Sequence, residues 1–257
     1  MNDPEAAFRL IRSELATRRL DGMVALITGA SRGLGRALAL AFAREGASLA
    51  LCSRGQEALE QVAAEVAALG TSVLAVPVDV RSTRDLDRLV ALTLDRYERV
   101  DILVNNASEL GPTPLPYLAD YPPAAFDDAM QVNLVAPFRL TQALIGSMLL
   151  RDRGVIVNVT SDAAVTGYPG WGAYAVSKAA LEGLTRTWAA ELAQTGVRIY
   201  AVDPGDMDTD MHRAAIPDAD PSELARPDNV ALAFVRLVTS ADMDLSGRRL
   251  EAAALAR

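Results

Sequence analysis

The sequence predicts an α/β fold: a single domain in which one parallel, doubly wound sheet of about seven strands is covered by helices on both faces. Two observations predict it. From Met23 onward, short β-branched or aliphatic runs alternate with longer amphipathic stretches, the order in which parallel strands are joined by right-handed helical crossovers. The chain has 257 residues, 51% of them hydrophobic, enough to bury one large core without a second domain.

Strands are predicted over 23–28, 47–52, 72–78, 100–105, 154–160 and 197–202, with a weaker seventh at 248–252. The amphipathic stretches between them predict helices over 33–45, 55–69, 82–97, 123–150, 172–195 and 228–239. Ahead of the first strand, Phe8, Ile11 and Leu15 have helical spacing. Residues 1–21 therefore read as an N-terminal extension with a helix over 5–20, and 22–257 as the domain proper. Two irregular stretches stand out: 108–123, with five prolines, and 203–227. Both should emerge beyond the carboxyl ends of the strands, where such sheets bind ligands, and 203–227 reads as a substrate lid.

Composition narrows the function. A formal net charge of −8 excludes a nucleic-acid or anionic-membrane surface, which needs clustered cations, and leaves a small molecule as the partner. Cys52 is the one cysteine and His212 the one histidine, so an internal disulfide cannot form, the His/Cys clusters of metal sites are absent, and zinc hydrolysis and serine-protease chemistry are not expected. Cys52 reads as a buried strand residue and His212 as a solvated loop residue. Charges run throughout the first twenty residues, unlike a signal peptide, and no later run approaches the roughly 18 apolar residues of a bilayer span. A soluble, cytoplasmic protein is expected.

The first strand runs into Thr28-Gly29-Ala30-Ser31-Arg32-Gly33-Leu34-Gly35 and then a helix. Glycines there permit a tight turn and bring backbone N–H groups close to a pyrophosphate at a helix N-terminus, the signature of a Rossmann dinucleotide site. The cofactor is expected to be NADP(H), with NAD(H) as the alternative. The second strand ends Leu51-Cys52-Ser53-Arg54 without the carboxylate that would grip a ribose hydroxyl. Arg54 and Arg32 suit a 2′-phosphate instead, unless both are simply solvated. Asp79, ending the third strand, either accepts from an adenine amino group or caps its own loop.

Lys178 is the only lysine among 24 arginines. A site that keeps the compact ammonium where every other cation is a guanidinium has a geometry that rejects the planar fork. Four residues earlier stands Tyr174, on the same helix face, where a cation would lower the phenol toward the range useful for proton transfer. Ser161, at the end of the fifth strand, can converge with Tyr174 at the sheet's carboxyl edge, with Thr160 as its local competitor. Trp171 and Tyr168 line a substrate pocket or pack beneath a loop.

Thr28-Gly29-x-x-x-Gly33-x-Gly35, Asn105-Asn106-Ala107, Asn133, Ser161, Tyr174-x-x-x-Lys178 and Pro204-Gly205 occur in the order found in the short-chain dehydrogenase/reductase family, which the chain resembles over about 22–240. The Leu51–Arg54 segment is similar to NADPH-dependent carbonyl reductases, and the glycine turn to 3-oxoacyl-carrier-protein reductases. The resemblance implies reversible reduction of a carbonyl to an alcohol, with Tyr174 as proton donor. Ser161 would hold the substrate oxygen, Lys178 the nicotinamide ribose, and Asn133 a water that relays protons to Lys178. It places the cofactor against Gly29, Ser31, Arg32, Gly33, Leu34, Gly35, Ser53, Arg54, Asp79, Val80, Asn106, Ala107, Tyr174, Lys178, Pro204, Gly205 and Thr209. No metal is implied, and a homodimer or homotetramer is. A non-catalytic nucleotide-binding regulator is the competing reading, and the intact Ser161, Tyr174 and Lys178 speak against it. Three departures from the family pattern stand out: Ser108 in place of Gly, Asp203 in place of Asn or another small residue, and a C-terminus around Arg248-Arg249-Leu250-Glu251 without the usual paired glycines.

Overall fold

The computed structural model describes residues 18–240 and 244–255. Seven strands form one sheet: β1 Val24–Thr28, β2 Ser48–Ser53, β3 Val73–Pro77, β4 Ile102–Asn105, β5 Gly154–Val159, β6 Val197–Asp203 and β7 Arg249–Glu251. Their spatial order is β3-β2-β1-β4-β5-β6-β7, and every pair is parallel. The direction of winding reverses between β1 and β4, so the crevice for a ligand opens there, beyond the carboxyl ends of these two strands.

Both faces are covered. Alternate residues of β1 point to opposite sides: Ala25 and Ile27 join Leu38, Phe42 and Phe234 in one core, while Leu26 joins Leu89, Leu140 and Leu144 in the other. A strand buried on both faces is apolar throughout, which is why the inner strands read as uninterrupted hydrophobic runs. The first core belongs to helices α1 Gly33–Arg44, α2 Gln56–Ala68 and α8 Pro227–Thr239. The second belongs to α3 Thr83–Tyr97 and α5 Ala136–Leu150. The remaining helices are α4 Pro123–Met130, α6 Gly172–Glu191, α7 Asp210–Ala215 and α9 Ala252–Leu255. Inside the sheet, Asn105 donates to Asn158 Oδ1 at 2.7 Å, tying β4 to β5 by side chains as well as backbone.

Three expectations change. The continuous helix over 123–150 is interrupted by a π turn at Gln131–Val135. Pro137 has no N–H to give to the Asn133 carbonyl, so the α-helical ladder cannot pass through unbroken. The helix over 172–195 ends at Glu191. The stretch 203–227 is not wholly irregular, because it carries α7, a 3₁₀ turn at Pro221–Glu223 and a bridge between Met207 and Ala225. Of the helix over 5–20, residues 5–17 lie outside the described residues, and 19–22 form turns. Among the described residues no helix is long and apolar enough to cross a membrane.

Candidate active site

A cleft of about 650 Å³ opens at the β1–β4 crevice. Its floor is the glycine turn between β1 and α1. A Cβ on Gly35 would sit 2.2 Å from the Gly29 carbonyl oxygen, and one on Gly29, at φ +67°, 2.9 Å from the Ala107 Cα. Only glycine fits either place. Asn106 fixes the turn from the side, donating to the Thr28 carbonyl at 2.8 Å, while the Thr28 hydroxyl accepts from the Asn106 and Ala107 N–H groups. No side chain caps the N-terminus of α1, so its first-turn N–H groups face the cleft uncommitted. A backbone cradle that any side chain would fill, at the positive end of a helix, fits a dinucleotide pyrophosphate.

The end of the cleft beyond β2 and β3 is lined by Ser53, Arg54, Asp79 and Val80. Ser53 donates to the Gly55 carbonyl and leaves no carboxylate after β2. The side chains of Arg32 and Arg54 are 70% and 61% exposed, and each has one loose acidic neighbour, Asp210 at 3.3 Å and Glu109 at 3.8 Å. The Asp79 carboxylate accepts from the Arg81 backbone N–H and guanidinium, which hold it below its ordinary range.

Tyr174 lies in the first turn of α6 and Lys178 one turn on, both buried. The Lys178 Nζ donates to the Val159 carbonyl at 2.8 Å and sits 5.5 Å from the centre of the Tyr174 ring. The hydroxyls of Ser161 and Ser108 are the neighbours that favour the ionised form of the Tyr174 phenol. Ser161 also donates to Asp162 Oδ1 at 2.9 Å, whereas Thr160 turns its hydroxyl away to Glu182 Oε1 at 2.8 Å. Strand alternation thus decides between the two neighbours in favour of Ser161.

The electrostatics correct one expectation. Burial pushes the Tyr174 phenol up to about 12, opposed only in part by Ser161 and Ser108 and reinforced by Asp203 and Asp162. Burial brings the Lys178 ammonium down to about 7. Burial outweighs the neighbouring Lys178, whose Nζ is engaged by the Val159 carbonyl and lies 5.5 Å from the centre of the ring.

Most of the site residues foreseen in the sequence line the one cleft; Asn133, Ser161 and Gly205 do not. Gly205 turns its N–H back to Asp203 Oδ1 at 2.9 Å. Asn133, in the π turn, is a strut: Oδ1 accepts from Glu109 N–H at 2.7 Å and from Ser108, and Nδ2 donates to the Glu109 carbonyl and to Ser177, each at 2.9 Å. Its side chain has no capacity left for a relay water.

The substrate side was legible only in outline. Trp171 stacks edge-on to Tyr174 at 5.5 Å and packs with Leu110, Leu115, Met211 and Ala215. Tyr168 donates to Asp162 Oδ2 at 2.7 Å. Cys52 is buried as expected, its thiol pushed up to about 12 by burial. His212 is not solvated: its side chain is 10% exposed and lies 3.5 Å from Asp206. Among the described residues no cluster of His, Cys, Asp and Glu is arranged to hold a metal.

The short chain dehydrogenase family model matches residues 23–220. The 3-oxoacyl-[acyl-carrier-protein] reductase of Synechocystis sp. is 39% identical over 193 residues, covering 75% of this chain and 77% of that protein. A short chain dehydrogenase from Shigella flexneri complexed with NADP superposes with a TM-score of 0.85 at 31% identity, covering 92% of this chain and 99% of that one. A 7α-hydroxysteroid dehydrogenase complexed with NADH and 7-oxo glycochenodeoxycholic acid superposes with a TM-score of 0.83 at 32% identity, covering 91% and 94%.

Proposed function

The chain belongs to the short-chain dehydrogenase family, and from that premise we propose that it is an NADP(H)-dependent oxidoreductase reducing a carbonyl of a small apolar molecule to an alcohol, reversibly. The observation that carries this is the meeting, in one cleft, of a buried phenol and a buried ammonium one helical turn away, 5.5 Å from the ring centre. Bound nicotinamide nucleotide supplies the hydride. The glycine turn would hold its pyrophosphate, and Lys178, Pro204 and Thr209, which line the same cleft, would border its nicotinamide end.

The chain's own residues handle the proton. A phenol raised to about 12 stands protonated at neutral pH, the form a general acid must have when the substrate oxygen gains electrons. The Ser161 hydroxyl, which donates to Asp162 here, would turn toward that oxygen and stabilise its developing charge. Lys178 titrates at about 7, so its charge is available below neutrality to a phenolate formed beside it. The apolar side of the pocket, Trp171 with Leu110, Leu115 and Met211, suits a hydrophobic body on the substrate.

The relative at 39% identity favours a second reading, a ketoreductase acting on acyl-carrier-protein thioesters. Asp162 beside Ser161 and the net charge of −8 weigh against a carrier that would need a basic docking patch near the pocket. Screening ketones, β-ketoesters, sugars, steroids and a 3-oxoacyl-carrier thioester for NADPH oxidation separates the two. Apolar ketones are expected to be turned over; turnover of the carrier thioester alone favours the second reading. Nucleotide binding with no turnover of any substrate favours the non-catalytic regulator.

Cofactor choice is tested separately. One exposed charge-assisted contact contributes about 1.4 kcal/mol, so Arg54→Ala should raise KM for NADPH about tenfold and leave that for NADH unchanged. An equal loss for both nucleotides removes the phosphate-binding role.

A further inference from the structure

Two departures from the family pattern, the acidic Asp203 and the C-terminal Arg249, meet in space. The register of β6 on β7 sets Ala201 opposite Arg249 and Asp203 opposite Glu251, which brings the Arg249 guanidinium onto the Asp203 carboxylate. Its Nε lies 3.2 Å from Glu182 Oε1, and Nη1 lies 3.6 Å from Glu251 Oε1. Asp203 and Glu182 are buried.

Each carboxylate is tied to the reaction centre by one further bond. Asp203 Oδ1 accepts the Gly205 N–H and so shapes the Pro204–Gly205 turn at the cleft. Glu182 Oε1 accepts the Thr160 hydroxyl, next to Val159, whose carbonyl holds Lys178. Glu182 is also four residues beyond Lys178 and eight beyond Tyr174, on the same face of α6. A buried carboxylate without a cation would be strongly destabilising, and here one guanidinium serves two of them.

We propose that Arg249 is a positioning residue for the reaction: it neutralises Asp203 and Glu182 behind the phenol and ties the end of β6 and helix α6 to β7 in the arrangement that seats Tyr174 and Lys178. This rests on the carbonyl-reductase reading. The charged groups that act on the phenol are Asp203 on β6 and Asp162 after β5, with Lys178 at its ring; Glu182 on α6, Asp203 and Glu251 on β7 surround the Arg249 guanidinium behind them. Asp203 and Asp162 already push the phenol upward, and Arg249 acts on both of those carboxylates. Removing the guanidinium leaves that upward push unopposed.

The test follows alcohol oxidation against pH at saturating oxidised nucleotide, whose positive charge lowers the phenol into the range of the assay, so that the rising limb reports its deprotonation. Arg249→Met should move that limb upward by about one pH unit and lower kcat about tenfold. Asp203→Asn should move it downward, and Asp203→Asn combined with Arg249→Met should return it near the starting position, with much of kcat. Arg249→Lys should lie between wild type and Arg249→Met. A purely structural arginine would lower the melting temperature and kcat without moving the limb, and an unmoved limb in folded Arg249→Met overturns the proposal. Should Arg249→Met fail to fold, Asp203→Asn decides: a downward limb supports the proposal and an unmoved one overturns it. No turnover by the wild-type chain with any carbonyl or alcohol is a different failure, that of the function itself.

Discussion

Replacing Tyr174 by Phe is expected to abolish turnover while the nucleotide still binds. The phenyl ring keeps the edge-on contact with Trp171 and the apolar packing around it, so the pocket wall survives. What disappears is the phenol hydroxyl, held protonated at neutral pH by burial. A positioned general acid contributes about 10² to 10⁴ in rate, and no other described group at that spot carries a transferable proton in the same place, so kcat should fall by about 10³ or more. The glycine turn, Asn106 and the two arginines are untouched. The dissociation constant for NADPH, read from nucleotide fluorescence, should therefore change by less than about threefold, under roughly 0.7 kcal/mol. Residual turnover above a few per cent of wild type would remove Tyr174 from the chemistry, and lost nucleotide binding would make its role structural.

The fold was legible because it rests on patterns a sequence displays. Strands buried on both faces must be apolar throughout, so β1, β4 and β5 announce themselves, and the short β7 is foreseeable from Arg248-Arg249-Leu250 alone only as a weak run. The π turn was hidden because it preserves most of the helical periodicity; Pro137 is its one visible cause. In the site, the glycine turn and the Tyr174–Lys178 spacing were legible because both are local.

What depends on distant partners was not legible. Asn133 meets Ser108, Glu109 and Ser177, which come from two other segments, and nothing in its own neighbourhood says that its amide is fully used. The pairing of Asp203 with Arg249 needs the β6–β7 register. His212 looked solvated because a loop position carries no information about what folds over it. The direction of the Tyr174 shift failed for the same reason, since spacing reveals a neighbour but not the depth of burial, and here burial outweighs the neighbour.

Lys178→Met should make the protein inactive and, at neutral pH, more stable. The folded chain lowers the Lys178 pKa from 10.5 to about 7, with burial as the cause, and offers the ammonium one carbonyl. Below pH 7 the amine is charged in both folded and unfolded chains, and the folded state carries the whole cost of burying it. Between pH 7 and 10.5 the unfolded chain binds more protons than the folded one, so stability rises with pH; above 10.5 the amine is neutral in both and the cost is gone. The shift corresponds to a cost on the order of 4 kcal/mol at pH 7. Methionine fills similar space without a charge, and replacing buried charge by apolar volume commonly stabilises by roughly 1 to 4 kcal/mol. At about 2 to 4 °C for each kcal/mol in a chain of this size, the melting temperature at pH 7 should rise by about 5 °C. The advantage should shrink as pH climbs from 7 to 10, the window in which wild type loses its penalty. Turnover should fall by about 10² or more, because nothing then offsets charge on the Tyr174 oxygen. A Lys178→Met variant less stable than wild type at pH 7, or a gap that stays constant from pH 7 to 10, would mean that the buried ammonium is not held against its solvation. The only lysine would then be a packing residue, and its survival among 24 arginines would have nothing to do with charge.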